Sequence, residues 1–155
     1  MLLSSTSVKG MKTMPALEPS AVEIETLKDL MYNEAREAKY YADLARSRNA
    51  YICASTLREI SEEEGAHLKR LQAEYYILTG STFFPCVALL NIPGAYLEAL
   101  RERFLGENEG AKAYLDAAAQ TSHPRLSAIY TEFSVDELSH AENMASLISD
   151  YIRSI

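Results

Sequence analysis

Two segments of this chain carry a glutamate followed three residues later by a histidine: Glu64-Gly65-Ala66-His67 and Glu137-Leu138-Ser139-His140. On a helix, that spacing puts both side chains on one face, about one turn apart. A carboxylate and an imidazole so placed can grip one metal ion while the carboxylate bridges to a second. One further glutamate precedes each motif, Glu34 in the first half and Glu107 in the second. Four carboxylates and two imidazoles suit a pair of first-row divalent ions such as iron or manganese, and the same donors accept zinc.

A lone E-x-x-H is common and usually marks a solvated helix face. The difference here is where the six residues fall. The periodicity predicts four helices, each with a heptad-like apolar seam facing a bundle core. Helix one begins after Ser20, where Ser20 and Glu23 have the form of a capping box, and its seam is Leu27, Met31, Glu34, Ala38, Tyr41 and Ala45. Helix two runs from near Asn49 to Thr79-Gly80 along Cys53, Leu57, Ile60, Glu64, His67, Leu71, Tyr75 and Leu78. Helix three starts at or just after Pro93 and carries Leu97, Leu100, Phe104, Glu107, Ala111, Tyr114 and Ala118. After the break at Thr121-Ser122-His123-Pro124, helix four carries Leu126, Tyr130, Phe133, Glu137, His140, Met144, Ile148 and Tyr151. Every polar member of these seams belongs to the set of six or is a tyrosine. A buried, unpaired carboxylate costs on the order of several kcal/mol, so four together oppose folding unless something cancels them. Two divalent cations do.

The halves repeat. A shift of 73 residues, with no gap, superposes Glu34, Ala38, Lys39, Tyr41, Asp43 and Ala45 on Glu107, Ala111, Lys112, Tyr114, Asp116 and Ala118. The same shift carries Glu59, Ser61, Glu64 and His67 onto Glu132, Ser134, Glu137 and His140. Two similar helical hairpins related by a pseudo-twofold axis are expected. The intervening stretch, Ser81 to Pro93, is too long for a tight turn and serves as a crossover between the hairpins; a strand there is the alternative its short apolar run allows.

Tyr41 and Tyr114 each lie seven residues after a candidate ligand. They are positioned to hydrogen-bond the ligand carboxylates, or else to pack as ordinary core tyrosines. His123 is read as exposed, Cys53 as packing, and the runs Glu62-Glu63 and Arg101-Glu102-Arg103 as solvated faces.

Composition narrows the remaining choices. The chain has 155 residues, 48% of them hydrophobic and 24% charged, with a formal net charge of -7. That is one domain with a real core. An acidic chain without a basic run is not a nucleic-acid binder, and no apolar run is long enough for a membrane span. Cys53 and Cys86 form no CxxC pair, and a reduced, cytoplasmic pair is expected. Residues 1–19 are expected to be a flexible lead-in without signal-peptide character, and 20–155 the bundle.

The set Glu34, Glu64-x-x-His67, Glu107 and Glu137-x-x-His140, on four helices with a crossover between the second and third, resembles the ferritin-like di-iron carboxylate proteins. Gly106-Glu107 and the equal halves are most similar to rubrerythrins. The resemblance implies an all-α ferritin-like four-helix bundle in which those six residues hold two iron ions. It further implies reduction of hydrogen peroxide, or of dioxygen, with electrons from a donor. Rubrerythrins usually carry a rubredoxin-type domain with CxxC pairs; this chain has none, so a separate rubredoxin-like donor is implied. They also carry a glutamate three residues after the third-helix ligand, where this chain has Gly110. The repeat equivalent of Gly110 is Glu37, which is therefore a candidate extra carboxylate at the metals, with Glu109 a less well-angled alternative. Ferroxidase or iron-storage activity is the second functional expectation, and a bundle merely stabilised by metal the third. The apolar crossover Phe83 to Leu90 predicts a homodimer: the groove between helices two and three covers part of it, and a partner chain the rest.

Overall fold

The computed structural model describes residues 18–47, 50 and 53–155. The start of the proposed lead-in and Asn49 lie outside the described residues. Helix α1 spans Ala21–Ala45 and opens on the expected capping box. The Ser20 hydroxyl oxygen accepts from the Glu23 N–H at 3.2 Å, and the Glu23 carboxylate accepts from the Ser20 N–H at 2.9 Å. The second oxygen of that carboxylate accepts from the Ser122 N–H at 2.7 Å and the Thr121 hydroxyl at 3.0 Å. One glutamate thus caps α1 and fastens it to the turn between the last two helices.

Helix α2 spans Ala54–Thr79 and stops at Gly80, whose φ of 68° is the left-handed conformation that glycine adopts without steric cost. Helix α3 spans Tyr96–Gln120, a little beyond Pro93, and α4 spans Pro124–Ser154 with its proline in the first turn. Helix α2 begins at Ala54, later than the apolar pattern predicts. The crossover forms no strand.

Helix α1 packs along α2 and α3 along α4, while α2 meets α4; α1 and α3 approach each other less closely. The order around the bundle is therefore α1, α2, α4, α3, which puts α2 and α3 on a diagonal. The crossover consequently starts over the α1–α2 face, not in a groove between α2 and α3. The Phe83 ring lies 5.9 Å from the Tyr75 ring of α2 and 5.9 Å from the Lys28 ammonium of α1. Both cysteines are unpaired, Cys53 buried and Cys86 exposed. Among the described residues, no helix is long and apolar enough to cross a membrane.

The core divides into two apolar clusters. One, around Tyr41, Leu57, Leu100 and Met144, fills one end of the bundle. The other, around Leu27, Leu71, Leu126 and Phe133, fills the opposite end. On every helix the candidate ligands lie between the segments that feed these clusters. The polar residues are therefore buried at mid-bundle, with apolar packing on both sides along the bundle axis.

Candidate metal centre

All six predicted ligands are buried: Glu34, Glu64, His67, Glu107, Glu137 and His140 are 7% exposed or less. They converge as two overlapping sets. Glu34, Glu64, His67 and Glu137 offer donor atoms within 4.8 Å of one another, and so do Glu64, Glu107, Glu137 and His140. Glu64 and Glu137, one from each E-x-x-H motif, belong to both. Glu34 and Glu107 each close one set.

The hydrogen-bonding state of these atoms tests whether a metal pair fits. Seven of them have no hydrogen-bond partner and no access to solvent: one oxygen each of Glu34, Glu107 and Glu137, both oxygens of Glu64, and Nδ1 of both histidines. Buried polar atoms are rarely orphaned, least of all several facing one space. They crowd one another: His67 Nδ1 lies 3.4 Å from both Glu34 and Glu64, and His140 Nδ1 lies 2.9 Å from Glu64, contacts that become ion pairs when the imidazoles are protonated. The donor set, its burial and its unspent lone pairs fit two divalent cations.

The second polar atoms of Glu34, Glu107, His67 and His140 are hydrogen-bonded, and these bonds hold the candidate ligands in place. The Tyr41 hydroxyl donates to Glu107 and the Tyr114 hydroxyl donates to Glu34. Both tyrosines therefore bond candidate ligands, but each bonds the glutamate of the opposite hairpin. The histidines are oriented in the same crosswise manner. His67 Nε2 is 3.2 Å from Asp136, and His140 Nε2 is 2.7 Å from Glu63. A carboxylate on Nε2–H fixes the tautomer and leaves the Nδ1 lone pair free for a metal. Glu63 is thus not simply a solvated residue. The repeat contains the signal for this pair, because 73 residues separate Glu63 from Asp136. The Phe133 ring stacks on His67 with centroids 3.9 Å apart, fixing that imidazole further.

The charges are strongly perturbed. Burial and the neighbouring Glu64 charge push Glu34 up to about 8. Burial and the charges of Glu64, Glu34 and Glu107 push Glu137 up to about 12. Burial opposes ionisation of Glu64 as well, but contacts from His140 and His67 outweigh it and pull Glu64 down to about 2. Burial likewise works against the imidazolium forms, yet Glu34 and Glu64 raise His67 to about 10, and Glu107 and Glu64 raise His140 to about 11.

Glu37 stands outside both ligand sets. Its half-buried carboxylate accepts from Arg103 and, at 2.6 Å, from Arg36. Arg103 is 3% exposed, so it belongs to the core rather than to a solvated face. Its guanidinium lies 4.3 Å from the Tyr40 ring centroid, a cation–π arrangement, and packs against the bare Cα of Gly106. The inward stripe of α3 accordingly runs through Tyr96, Ala99, Leu100, Arg103 and Glu107, with Leu97 and Phe104 only half-buried. Gly110 has a steric reason: a Cβ there would lie 2.6 Å from a Glu137 carboxylate oxygen. Glu109 is exposed, and His123 is half-buried rather than free.

No family model matches this chain. The uncharacterized protein YhjR of Bacillus subtilis (strain 168) is 27% identical over 120 residues, covering 77% of this chain and 82% of that protein. Among solved structures, the bacterioferritin of Rhodobacter capsulatus, described with a metal-free dinuclear site and a haem iron, aligns with a TM-score of 0.76. It is 24% identical, over 88% of this chain and 89% of that one. The likeness is one of fold, and with the helix order above it makes this chain a ferritin-like four-helix bundle.

Proposed function

We propose that the buried cluster holds two iron ions and makes this chain a rubrerythrin-like oxidoreductase that reduces hydrogen peroxide, with dioxygen as a close variant. The observation that carries this reading is the set of seven orphaned donor atoms, shared between two ligand groups through Glu64 and Glu137. Bound as Fe(II), the pair would supply the two electrons and the Lewis acidity that cleavage of an O–O bond needs. The protein's part is positional. Tyr41 and Tyr114 anchor the terminal carboxylates, Asp136 and Glu63 aim the imidazoles, and the two apolar clusters keep bulk water out. Reduction of peroxide to two waters consumes two electrons and two protons. The electrons come from a separate donor protein, rubredoxin-like by the resemblance, in a reducing cytoplasm that suits the free thiols.

Anaerobically reduced, iron-loaded protein is expected to consume peroxide over many cycles when supplied with reductant. Glu64→Ala and His140→Ala are expected to lower turnover by more than about 100-fold, since losing even an outer-shell partner costs 10–100-fold, while helical circular dichroism is retained. Wild-type turnover in either variant would rule out catalysis at this centre. Iron oxidation and storage is the second reading, favoured by the bacterioferritin-like fold. It requires a large assembly and sustained Fe(II) oxidation without a reductant. A bundle stabilised by metal alone would show neither activity.

A homodimer is proposed on the crossover. Phe84 is 74% exposed and Leu89 96% exposed, both on the crossover. Such apolar patches mark interfaces, and a twofold dimer is the commonest symmetric way to cover one. Sedimentation at micromolar concentration is expected to give a dimer that Phe84→Asp with Leu89→Asp converts to monomer. A monomeric wild-type protein would refute the interface.

A further inference from the structure

The side of the bundle between α1 and α3 is its loosest, and a groove of about 570 Å³ opens there. We propose that this groove is the path by which divalent cations reach the buried centre, with Glu37 as the station that hands them inward past Arg103. The proposal rests on the di-metal reading above and names how its sites are filled.

Charge is the first argument. Seven carboxylates and three guanidiniums line the groove. The excess is not spread evenly. At the mouth, Glu98, Glu102 and Glu109 are offset by Arg36 and Arg101. The floor is made by Glu34, Glu107 and Glu137, with no cationic side chain of α1 or α3 among them. A groove lined by more carboxyl groups than guanidiniums draws cations and repels anions along its length.

The second argument is that the floor has free donors. Glu34 and Glu107 are 3% and 1% exposed, and each has an oxygen without any hydrogen-bond partner. Glu137 reaches the same floor only because Gly110 has no side chain, since a Cβ would sit 2.6 Å from its carboxylate. Gly110 lies within a regular helix, where its φ does not require glycine. Its absent side chain is accounted for by the opening it leaves.

Glu37 occupies the step between mouth and floor. It lies one turn from Glu34, lines the groove, and is already neutralised by Arg103 and Arg36. An arriving divalent ion can replace those guanidiniums at the carboxylate and then pass to Glu107 and Glu34 as Arg103 closes on Glu37 again. While the ion occupies the carboxylate, Arg103 retains its cation–π contact with the Tyr40 ring, which limits the cost of separating a buried charge from its partner.

The test follows Co(II) uptake by the metal-free full-length protein, read by d–d absorption in stopped flow, with the final stoichiometry as a second readout. Glu37→Gln is expected to slow uptake several-fold while two ions per chain still bind at equilibrium. Ala113, an exposed residue lining the groove, allows a test that leaves the ion pair intact. At low salt, Ala113→Lys is expected to load at least about three-fold more slowly than Ala113→Glu, the gap closing as ionic strength rises. Ala66→Lys makes the same charge change on an exposed position of α2 and is expected to load like wild type. Equal rates for the two Ala113 variants would overturn the path. A Glu37→Gln protein that binds only one ion would overturn the station, making Glu37 a ligand. Failure of wild type itself to take up two ions would instead strike the di-metal reading, and this inference with it.

Discussion

Loading two divalent ions at neutral pH is expected to release about four protons per chain. The count follows from the perturbed groups. With burial and like charge holding Glu34 up at about 8 and Glu137 at about 12, both are protonated at pH 7. His67 and His140, raised to about 10 and about 11, are imidazolium. The metal-free centre therefore sets two imidazolium charges against the Glu64 carboxylate, which contacts from His140 and His67 hold down at about 2. Binding two ions requires Glu34, Glu137, His67 and His140 to give up these protons, so four protons leave as four positive charges arrive. Net charge at the buried centre does not change, which explains how six ionisable groups are tolerated there in either state. In consequence, the overall two-ion association constant is expected to fall by about four orders of magnitude for each pH unit between 7.5 and 6. Calorimetric titration in buffers of different ionisation enthalpy measures the proton count directly. Release of one proton or none would show that the ligands are already deprotonated and that this charge balance is wrong.

Stability of the metal-free protein has the matching sign. All four groups have folded pKa values above their unfolded ones. Each contributes stability that is complete below its unfolded value, near 4.5 for the glutamates and 6.5 for the histidines, and that is lost as pH rises through the folded value. Glu64 has the opposite sign: its contribution is present above 4.5 and is lost as pH falls towards about 2. The metal-free protein should therefore melt at a lower temperature at pH 9 than at pH 6, and bound metal should remove that difference.

Single ligand variants should divide into two classes by stoichiometry. Glu64 and Glu137 belong to both ligand sets, whereas Glu34 and Glu107 each belong to one. Glu34→Ala is expected to bind one ion per chain, and Glu64→Ala none at the concentrations that saturate wild type. The metal-free folds should differ as well. Glu137 is already neutral there, so Glu137→Gln should melt at or above the wild-type temperature. Glu64 is the carboxylate facing Nδ1 of both histidines. Its loss leaves two buried imidazolium groups short of a counter-charge, and removing one partner of a buried pair costs about 3–5 kcal/mol. Glu64→Gln should therefore melt well below wild type. The reverse order of the two melting temperatures would show that the charge resides on Glu137 instead.

The sequence by itself determined the four helices and the six residues that converge at mid-bundle. A carboxylate on an apolar seam conflicts with burial unless it is compensated, and six such conflicts in two matching sets left few ways of resolving them. The shift of 73 residues also encoded the partners of the histidines, Glu63 and Asp136, although both look like surface acids when each hairpin is read alone. Tertiary structure decided which half serves which. Tyr41 lies on the same helix as Glu34, yet it bonds Glu107, because facing helices bring the opposite ligand closer than one two turns away. It also decided that Arg103 turns inward while Phe104, the more apolar residue, stays half out. No periodicity in α3 predicts that choice, because the Glu37 carboxylate and the Tyr40 ring that accept the guanidinium come from another helix. The same holds for Gly110, whose missing side chain has meaning only beside a Glu137 carboxylate brought to it by α4.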